Sequence, residues 1–381
     1  MTGPQDTPWL PLRQLRVLDL TRLLPGGFAS SLLADLGADV VKVEPPGGDP
    51  LRQVMPETFA AIHRNKRSMV LDLAEPEGKR SFLALVPRFD VVIESHRPGV
   101  LDRLGLGFDA LRRANPRVVL CSLSGFGQTG PYSRRPGHDV NFLALSGFFA
   151  VPQRPAGTVD RPGVRVADLT GAMYAALSIT VAAQHAATTG TGQHVDVSLH
   201  EAAAAWAGPL ALPALNVAAA DSPVVIGDND VFTTRDGRRL SLVLFEDKFW
   251  RAFRDRLAGE FPALATDAYD RRADRNRHKE AVSVLLAAVF ADRDLKWWIE
   301  VLTELDLPWA PVHETAAEVV DDEHVQARQL IAEVPGGPED QQWHQVRFPV
   351  VFGAGLDSFR TPAPDLGEHT AEVLKGNGPR S

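Results

Sequence analysis

The feature of this sequence that most constrains its fold is a regular alternation of short apolar runs with helix-like segments over the first 125 residues. The apolar runs have strand length, and the segments 28–36, 77–86 and 108–114 have helical apolar spacing. The strand-like runs are residues 15–20, 38–44, 69–73, 90–95 and 117–125. Strand, helix and strand in succession form a parallel unit, so the pattern predicts a Rossmann-like open parallel sheet of the α/β class.

The first of these units has one feature of a dinucleotide site and lacks another. Glu44 ends the second strand-like run, where a ribose-binding acid stands in such sites. The loop after the first run has only Gly26 and Gly27 in place of the G-x-G-x-x-G fingerprint. We therefore expect no nicotinamide or flavin cofactor.

The character of the sequence changes near Asp221. Before it, residues 168–185 resemble a long apolar helix, and 192–208 begin as a strand and become helical. After it, residues 230–244 are typical of two strands joined by an Arg-Asp-Gly turn. Further helical segments are predicted at 248–257, 279–290, 295–305 and 316–330. The pattern predicts a large α/β domain followed by a smaller α+β domain.

Composition excludes several classes of function. The formal net charge of −8 argues against a nucleic-acid partner, because such proteins present a basic face to phosphates. Cys121 is the only cysteine, so no intramolecular disulfide can form, and a reducing, cytoplasmic setting is expected. Residues 1–10 lack the pattern of a signal peptide, and Pro209 and Pro213 break the apolar run 202–220. We expect no membrane span and no metal site.

Basic residues flank two of the predicted strands. Arg64, Lys66 and Arg67 precede the run at 69–73, whereas Arg97 and Arg103 follow the run at 90–95. Ligands of open α/β sheets bind at the carboxyl ends of the strands, so only the second set lies at the expected edge. Such charges are more often solvated surface than phosphate ligands.

Three residues with acid or base chemistry stand near predicted helix starts, and each has an ordinary explanation. His138 follows a segment rich in glycine and proline, and taken alone it indicates a surface histidine or a hydrogen-bonded histidine of the core. Asp168 precedes an apolar helix, as an N-cap residue does, and Glu246 reads as an acid at a helix start. Taken singly, none of them predicts an activity.

Several motifs in fixed order, from about residue 15 to 374, resemble the family III CoA-transferase and α-methylacyl-CoA racemase superfamily, also called CaiB/BaiF. They include LLADLGADVVKVEPPGGDP, RPGVLDRLGLG, NPRVVLCSLSGFGQTGPY, TGTGQHVDVSLHEA and PAPDLGEHT. The resemblance implies an enzyme that acts on acyl-CoA, with coenzyme A as part of the substrate and no further cofactor. It also implies a large domain from residues 1–220 and 311–381, a smaller domain of residues 221–310, and an interlocked homodimer.

Within this superfamily, one position favours a racemase. Both branches have an Asp where Asp168 stands, and a transferase uses it as a nucleophile that becomes an aspartyl-CoA thioester. His138 lies in GHDVN, which resembles the racemase motif G-H-D-I/V-N, whereas transferases have Tyr or Phe there. Glu246 matches an acid that orients the racemase His, and the transferase glycine-rich loop is missing. The resemblance favours a racemase of 2-methylacyl-CoA thioesters in lipid metabolism, with a CoA transferase as the alternative.

Racemisation requires a base on each face of the reacting carbon, and we expect His138 and Asp168 to be this pair. The enolate oxygen needs hydrogen-bond donors, and the backbone amides at the start of the helix after Asp168 are the candidates. An apolar acyl pocket is expected to raise the pKa of Asp168.

The resemblance also assigns contacts to CoA. Racemases commonly have an Arg directly after the acid that ends the second strand, but Pro45 stands here, so other residues must hold the adenine or the phosphates. The expected contacts are Leu71, Asp72, Leu73, Ser95, His96, Arg97, Arg103, Gly137, Asp139, Asn141 and Phe142.

Overall fold

A computed structural model describes residues 9–151, 161–216, 227–335 and 342–376. The strands are β1 (Arg16–Asp19), β2 (Asp39–Glu44), β3 (Lys66–Val70), β4 (Val91–Glu94), β5 (Val119–Ser124), β6 (His194–Ser198), β7 (Asn229–Thr233), β8 (Arg239–Val243), β9 (Trp309–Pro311), β10 (Ile331–Pro335) and β11 (Gln342–Val346). The helices are α1 (Leu23–Asp35), α2 (Leu51–Val54), α3 (Pro56–His63), α4 (Pro76–Leu85), α5 (Val100–Leu104), α6 (Phe108–Ala114), α7 (Asp139–Leu145), α8 (Val166–Thr189), α9 (Leu199–Ala211), α10 (Pro213–Asn216), α11 (Asp247–Leu257), α12 (Arg272–Arg277), α13 (Lys279–Phe290), α14 (Leu295–Glu304), α15 (Ala316–Asp321), α16 (Glu323–Ala327) and α17 (Thr370–Lys375).

The chain divides into two compact units. Of the described residues, those within 1–148, 161–209 and 326–381 form the first unit, and those within 149–160 and 210–325 form the second. The sequence predicted divisions at 220 and 310, whereas residues 210–216 and 311–325 belong to the second unit. For residues 311–325 the reason is local pairing, since β9 hydrogen-bonds to β8.

The first unit is built on a six-stranded parallel sheet in the order β3-β2-β1-β4-β5-β6. The chain starts in the middle of the sheet, because β1 pairs with β2 through Val17–Val40 and with β4 through Val17–Val91. This is the strand order of a Rossmann fold, so the predicted fold class is confirmed. The strand order reverses between β1 and β4, which opens a crevice at their carboxyl ends.

Apolar side chains on both faces explain why these strands are central. Leu18, Val41, Met69 and Val92 are completely buried and pack in one core cluster, and the alternate residues of the strands are also buried, as at Val17. Continuous burial of this kind is typical of parallel strands covered by helices on both sides. The strands therefore form a rigid base for the loops at their ends.

The bounds of several elements differ from the sequence prediction, and the helix predicted at 316–330 is two shorter helices, α15 and α16. The strand predicted at 69–73 is β3, Lys66–Val70, because β3 pairs with β2 from Val40–Lys66 to Glu44–Val70 and ends where β2 ends. Leu71–Leu73 consequently lie in the loop beyond the carboxyl end of the sheet. The antiparallel pair β10–β11 was not predicted.

Helix α8 has the length and apolar composition of a membrane span. The sequence analysis expected no such segment and considered only 202–220, which forms α9 and α10 in its described part. One side of α8 is buried at Ala172, Ala175 and Ile179, and the helix packs on α1 and β5. This packing is that of a core helix in the first unit.

The second unit has its own core. Strands β7 and β8 form the predicted hairpin, with Gly237 at φ +77° in its turn. Trp250 and Trp298 are completely buried in the cluster of side chains between this sheet and the helices. Arg275 is also buried, where it pairs with Asp228 at 2.5 Å. A buried guanidinium needs such a partner, because burial of an unpaired charge is costly.

Two valines on α13 test whether this core stabilises the second unit. Val282 is fully buried and Val284 is 71% exposed, so the same substitution at the two sites differs only in packing. We expect Val282→Ala to lower the free energy of unfolding by about 2 kcal/mol. Val284→Ala should change it by less than about 0.5 kcal/mol. Urea denaturation of both variants measures this, and equal effects would contradict the packing described.

Candidate active site

A cleft of about 240 Å³ lies at the carboxyl edge of the parallel sheet. Its walls come from the loops after β1, β2, β3 and β4, on both sides of the point where the strand order reverses. The lining includes Thr21, Glu44, Leu73 and His96. Clefts at this place in open α/β sheets are the usual ligand sites.

Buried charges hold the first two of these loops in place. Asp19, at the end of β1, accepts hydrogen bonds from Thr21 and from Ser30 Oγ. Lys42 Nζ lies 2.8 Å from Asp49 Oδ2 and donates to the Thr21 carbonyl at 2.9 Å. Burial alone raises the pKa of Asp19, but the nearby charges of Lys42 and Lys66 outweigh it and hold that pKa below its usual value. The loops are thereby fixed by fully paired groups.

The carboxylate of Glu44 forms an ion pair with an arginine to which the sequence pattern assigned no role. Arg52 donates to both carboxylate oxygens of Glu44 at 2.8 Å, and Ser68 Oγ donates to Oε1 at 2.7 Å. Burial raises the pKa of Glu44, but these bonds outweigh it and hold the pKa below its usual value. The carboxylate of Glu44, which its sequence position suggested as a ribose ligand, therefore belongs to a structural ion pair.

Several of the predicted CoA contacts that follow β3 and β4 lie at this cleft. Leu71, Asp72, Leu73 and His96 line it. Ser95 Oγ accepts the Arg22 N–H at 2.9 Å, which joins the loops after β1 and β4. Arg97 and Arg103 do not line it, but they adjoin in the chain His96 and Leu104, which do. Both are exposed, and neither has a carboxylate within 4 Å in the described part of the chain. These two cations are free to meet an anion.

The other predicted basic group is structural. Arg64 pairs with Asp35 at 2.6 Å, and Arg67 pairs with Asp39 at 2.7 Å. Lys66 is completely buried, and burial lowers its pKa to about 7. These residues lie at the amino ends of the strands, away from the cleft.

The backbone segments that carry His138 and Asp168 lie next to each other, because Asp139, which follows His138, binds the start of α8. His138 is the N-cap residue of α7, where its N–H donates to Asn141 Oδ1 at 3.0 Å. Asp139 Oδ1 accepts the N–H of Ala167 at 2.8 Å and of Asp168 at 3.2 Å. The starts of α7 and α8 therefore adjoin, although they are nearly thirty residues apart in the chain.

The Asp168 carboxyl group is easily protonated. Burial, and then the negative charge of Asp139, raise its pKa to about 7, while Arg165 lowers it. Asp139 itself is 3% exposed, and its Oδ2 has no hydrogen-bond partner among the described residues. A second carboxylate close by disfavours the ionised form of the first. The raised pKa agrees in direction with the sequence analysis, which attributed it to an acyl pocket alone.

The predicted hydrogen-bond donors for an oxyanion are wrong. The amides of Ala167 and Asp168 donate to Asp139, and the amide of Leu169 donates to the Arg165 carbonyl at 3.0 Å. These three amides at the start of α8 are thus already paired. The amides of Asp139 and Val140 begin α7, where the first N–H groups of a helix have no intrahelical acceptor.

Phe142 holds the loop that carries His138. Its ring lies so close to Gly125 and Gly137 that a Cβ at either position would come within 2.5 and 2.7 Å of it. The ring also packs edge-on against Phe126, 5.1 Å between centroids. Gly137, Asn141 and Phe142, which were predicted to contact CoA, position the start of α7 by these contacts.

Glu246 belongs to the second unit, where it is the N-cap residue of α11. Its carboxylate lies 2.9 Å from Lys248 Nζ and is exposed. Its assigned role towards His138 stays a prediction. No cluster of three His, Cys, Asp or Glu side chains suited to a metal ion occurs within the described ranges.

The charge and the capping role of Asp139 can be separated by substitution. Asp139→Asn keeps an oxygen that can cap α8 but removes the charge, so we expect the pKa of Asp168 to fall from about 7 towards its usual value. A ¹³C-carboxyl NMR titration, with Asp168→Asn to assign the signal, measures it. Asp139→Ala should in addition cost about 1 kcal/mol of stability through loss of the cap. An unchanged titration in Asp139→Asn would refute the coupling of the two carboxylates.

Comparison by sequence relates this chain to known enzymes. The sequence pattern of CoA-transferase family III matches residues 12–370. The chain is 33% identical to a succinate-glutarate CoA-transferase of Agrobacterium fabrum, over 96% of this chain and 95% of that protein. It is also 33% identical to a succinyl-CoA:mesaconate CoA-transferase of Haloarcula hispanica, over 96% of each chain.

Comparison by structure gives the same relationship. A crystal structure of a CAIB/BAIF family protein from Brucella suis matches with a TM-score of 0.84 and 28% identity, over 96% of this chain and 99% of that one. The named sequence relatives support the transferase, the alternative of the sequence analysis, better than the racemase that His138 favoured. The match along nearly the whole length shows that the chain belongs to CoA-transferase family III.

Proposed function

We propose that this protein is a CoA transferase that exchanges CoA between two carboxylic acids, with Asp168 as the nucleophile. The observation that carries the proposal is a half-buried carboxylate at the start of a long helix, with its pKa raised to about 7. The relatives named as CoA-transferases supply the reaction class.

The first step consumes the acyl-CoA donor. An ionised Asp168 oxygen attacks the thioester carbonyl, the carbon–sulfur bond breaks, and the CoA thiolate leaves with the electron pair. The thiolate then attacks the side-chain carbonyl of the resulting mixed anhydride, which releases the first acid and leaves an aspartyl-CoA thioester. Acceptor acid reverses both steps and leaves with CoA.

A raised pKa has two consequences for this reaction. A more basic carboxylate is the stronger nucleophile, and near pH 7 a substantial part of it is still ionised. Because the protonated form cannot attack, the transfer rate should decline as the pH falls below about 7.

The tetrahedral intermediates carry a negative oxygen, and the amides of Asp139 and Val140 are the donors that we assign to it.

The relatives suggest the chemical class of the acids. Their names specify succinate with glutarate, and succinyl-CoA with mesaconate, which are short dicarboxylic acids or their thioesters. We propose a short dicarboxylyl-CoA as the donor. The cleft at the carboxyl edge, with Arg97 and Arg103 at its side, is the proposed place for the CoA phosphates.

The proposed partner is a second copy of this chain. Three side chains spaced four residues apart along α8 leave the apolar side opposite its buried face exposed: Met173, Leu177 and Val181. A contiguous exposed apolar stripe on a helix is typical of a protein interface. Its position on a core helix of the first unit is consistent with the interlocked homodimer that the sequence resemblance implies.

A covalent intermediate tests the nucleophile. Incubation with succinyl-CoA and no acceptor, followed by hydroxylamine, should convert Asp168 into a hydroxamate that peptide mass spectrometry locates. Asp168→Asn should show no adduct and lose transfer activity by on the order of a thousandfold or more. An adduct on Asp139, or full activity of Asp168→Asn, would refute the assignment.

A racemase of 2-methylacyl-CoA thioesters is the second candidate. The observation that favours it is His138, an exposed imidazole directly before the carboxylate that binds the Asp168 amide. Solvent deuterium separates the two reactions. A racemase incorporates deuterium at the α-carbon without any acceptor acid and loses this exchange in His138→Ala, whereas the transferase leaves that hydrogen in place.

The proposed phosphate contacts have a matched control. Arg97→Gln and Arg103→Gln should each raise the KM for acyl-CoA about tenfold with little change in kcat, because such contacts bind substrate and transition state alike. Arg113 is also exposed, but it lies on α6 with no neighbour in the chain that lines the cleft, so Arg113→Gln should leave KM unchanged. Equal KM values in all three variants would place the phosphates elsewhere.

A further inference from the structure

A larger cleft, of about 690 Å³, lies at the opposite edge of the same sheet. Its lining residues stand at or just before the first residues of β1, β2, β3, β4 and β5, together with the segment that precedes α17. The charged residues among them are Arg13, Arg16, Asp39, Lys66, Arg67, Arg88, Asp90, Arg117, Arg360, Glu368, His369 and Glu372. The cleft is thus strongly polar, and neither His138 nor Asp168 lines it.

Arginines outnumber carboxylates in this cleft by six to four. Asp39 is already bound by Arg16 and Arg67, and Glu372 is bound by Arg67. No carboxylate of the described residues lies within 4 Å of the guanidinium groups of Arg13, Arg88 or Arg117. Although the net charge of the protein is −8, this cleft therefore contains positive charges without a carboxylate partner among the described residues.

Arg88 is partly buried in this cleft, near Arg16 and Arg67. Burial, and then the charges of Arg16 and Arg67, lower its pKa from the ordinary value. One of its nitrogens donates to the Val373 carbonyl at 2.7 Å, which fixes the side chain in the cleft and leaves other N–H groups available. A guanidinium held in this way, without a carboxylate partner among the described residues, is suited to bind an anion.

We propose that this cleft, at the amino edge of the sheet, binds a small phosphate-bearing anion of nucleotide size. Guanidinium groups bind phosphate through paired, charge-assisted hydrogen bonds, and Arg88 and Arg117 are the two principal ligands. The volume of about 690 Å³ falls within the usual range for small-molecule sites. The five residues of β3 separate this cleft from the one at the carboxyl edge by roughly 17 Å, so the two sites can be occupied at once.

Titration calorimetry at constant ionic strength tests the proposal, with pyrophosphate and ATP as separate probes and saturating CoA present to fill the other cleft. We expect binding that weakens about tenfold in Arg117→Gln, whose exposed side chain has no ion-pair partner among the described residues. Arg88→Gln should weaken it similarly, and Arg88→Lys, which keeps the charge, should weaken it less. Arg113→Gln is the surface control and Arg97→Gln the control for the CoA cleft.

The two probes distinguish the ligand. Tighter binding of ATP than of pyrophosphate indicates that the cleft also contacts a nucleoside, whereas equal binding indicates recognition of the phosphates alone. The proposal is overturned if neither probe binds, or if both bind with the same affinity to Arg117→Gln and to the unaltered protein. Loss of binding in Arg97→Gln but not in Arg117→Gln would also overturn it, because the anion would then be bound at the carboxyl edge.

Discussion

The proposed active site of this molecule depends on one buried carboxylate, that of Asp139. With one oxygen it accepts the first amides of α8, and with its charge it raises the pKa of Asp168 in the same helical turn. Its own backbone begins α7, directly after His138. Capping a helix with a carboxylate is common, but here the cap is itself nearly excluded from solvent, so its charge acts strongly on its neighbour.

The same arrangement explains why Asp168 suits two reactions and why one position could not decide between them. A carboxylate of raised pKa is a useful base and a useful nucleophile, and the choice depends on whether an α-hydrogen or a thioester carbonyl lies next to it. His138 favours proton transfer by residue type alone. Similarity over almost the whole chain is the stronger ground, because it reflects every packing and loop constraint, and it favours the transferase.

Charge is distributed unevenly between the two edges of the parallel sheet. At the carboxyl edge buried Lys42 is paired with Asp49, and exposed arginines such as Arg97 and Arg103 have no carboxylate partner among the described residues. At the amino edge Arg88 is partly buried and faces like charges. Since parallel strands present their two ends on opposite sides of a domain, one sheet can support two separate anion sites.

Most of the fold was predictable because it follows from local patterns. Apolar runs and their spacing predicted the strands of the parallel sheet, helix α6 at its observed bounds and the β7–β8 hairpin. The boundary of β3 was not predictable, because it is set by pairing with β2, and the β10–β11 pair was missed because its strands are short and largely exposed. In the site, sequence indicated His138, Asp168 and the arginines after β4, but it did not indicate Arg52 or the double role of Asp139.

The sequence by itself determined the α/β class, the family resemblance and the residue types available for chemistry, because each depends on side chains close together in the chain. Only the tertiary structure decided which groups are paired. Asp139 reaches the amides of α8 across 28 residues, and Arg88 reaches Val373 across 285. Hydrogen bonds and Coulombic interactions depend on distance in space, so the pKa of Asp168, the occupied amides of α8 and the unpaired arginines at the amino edge could come from the folded chain alone.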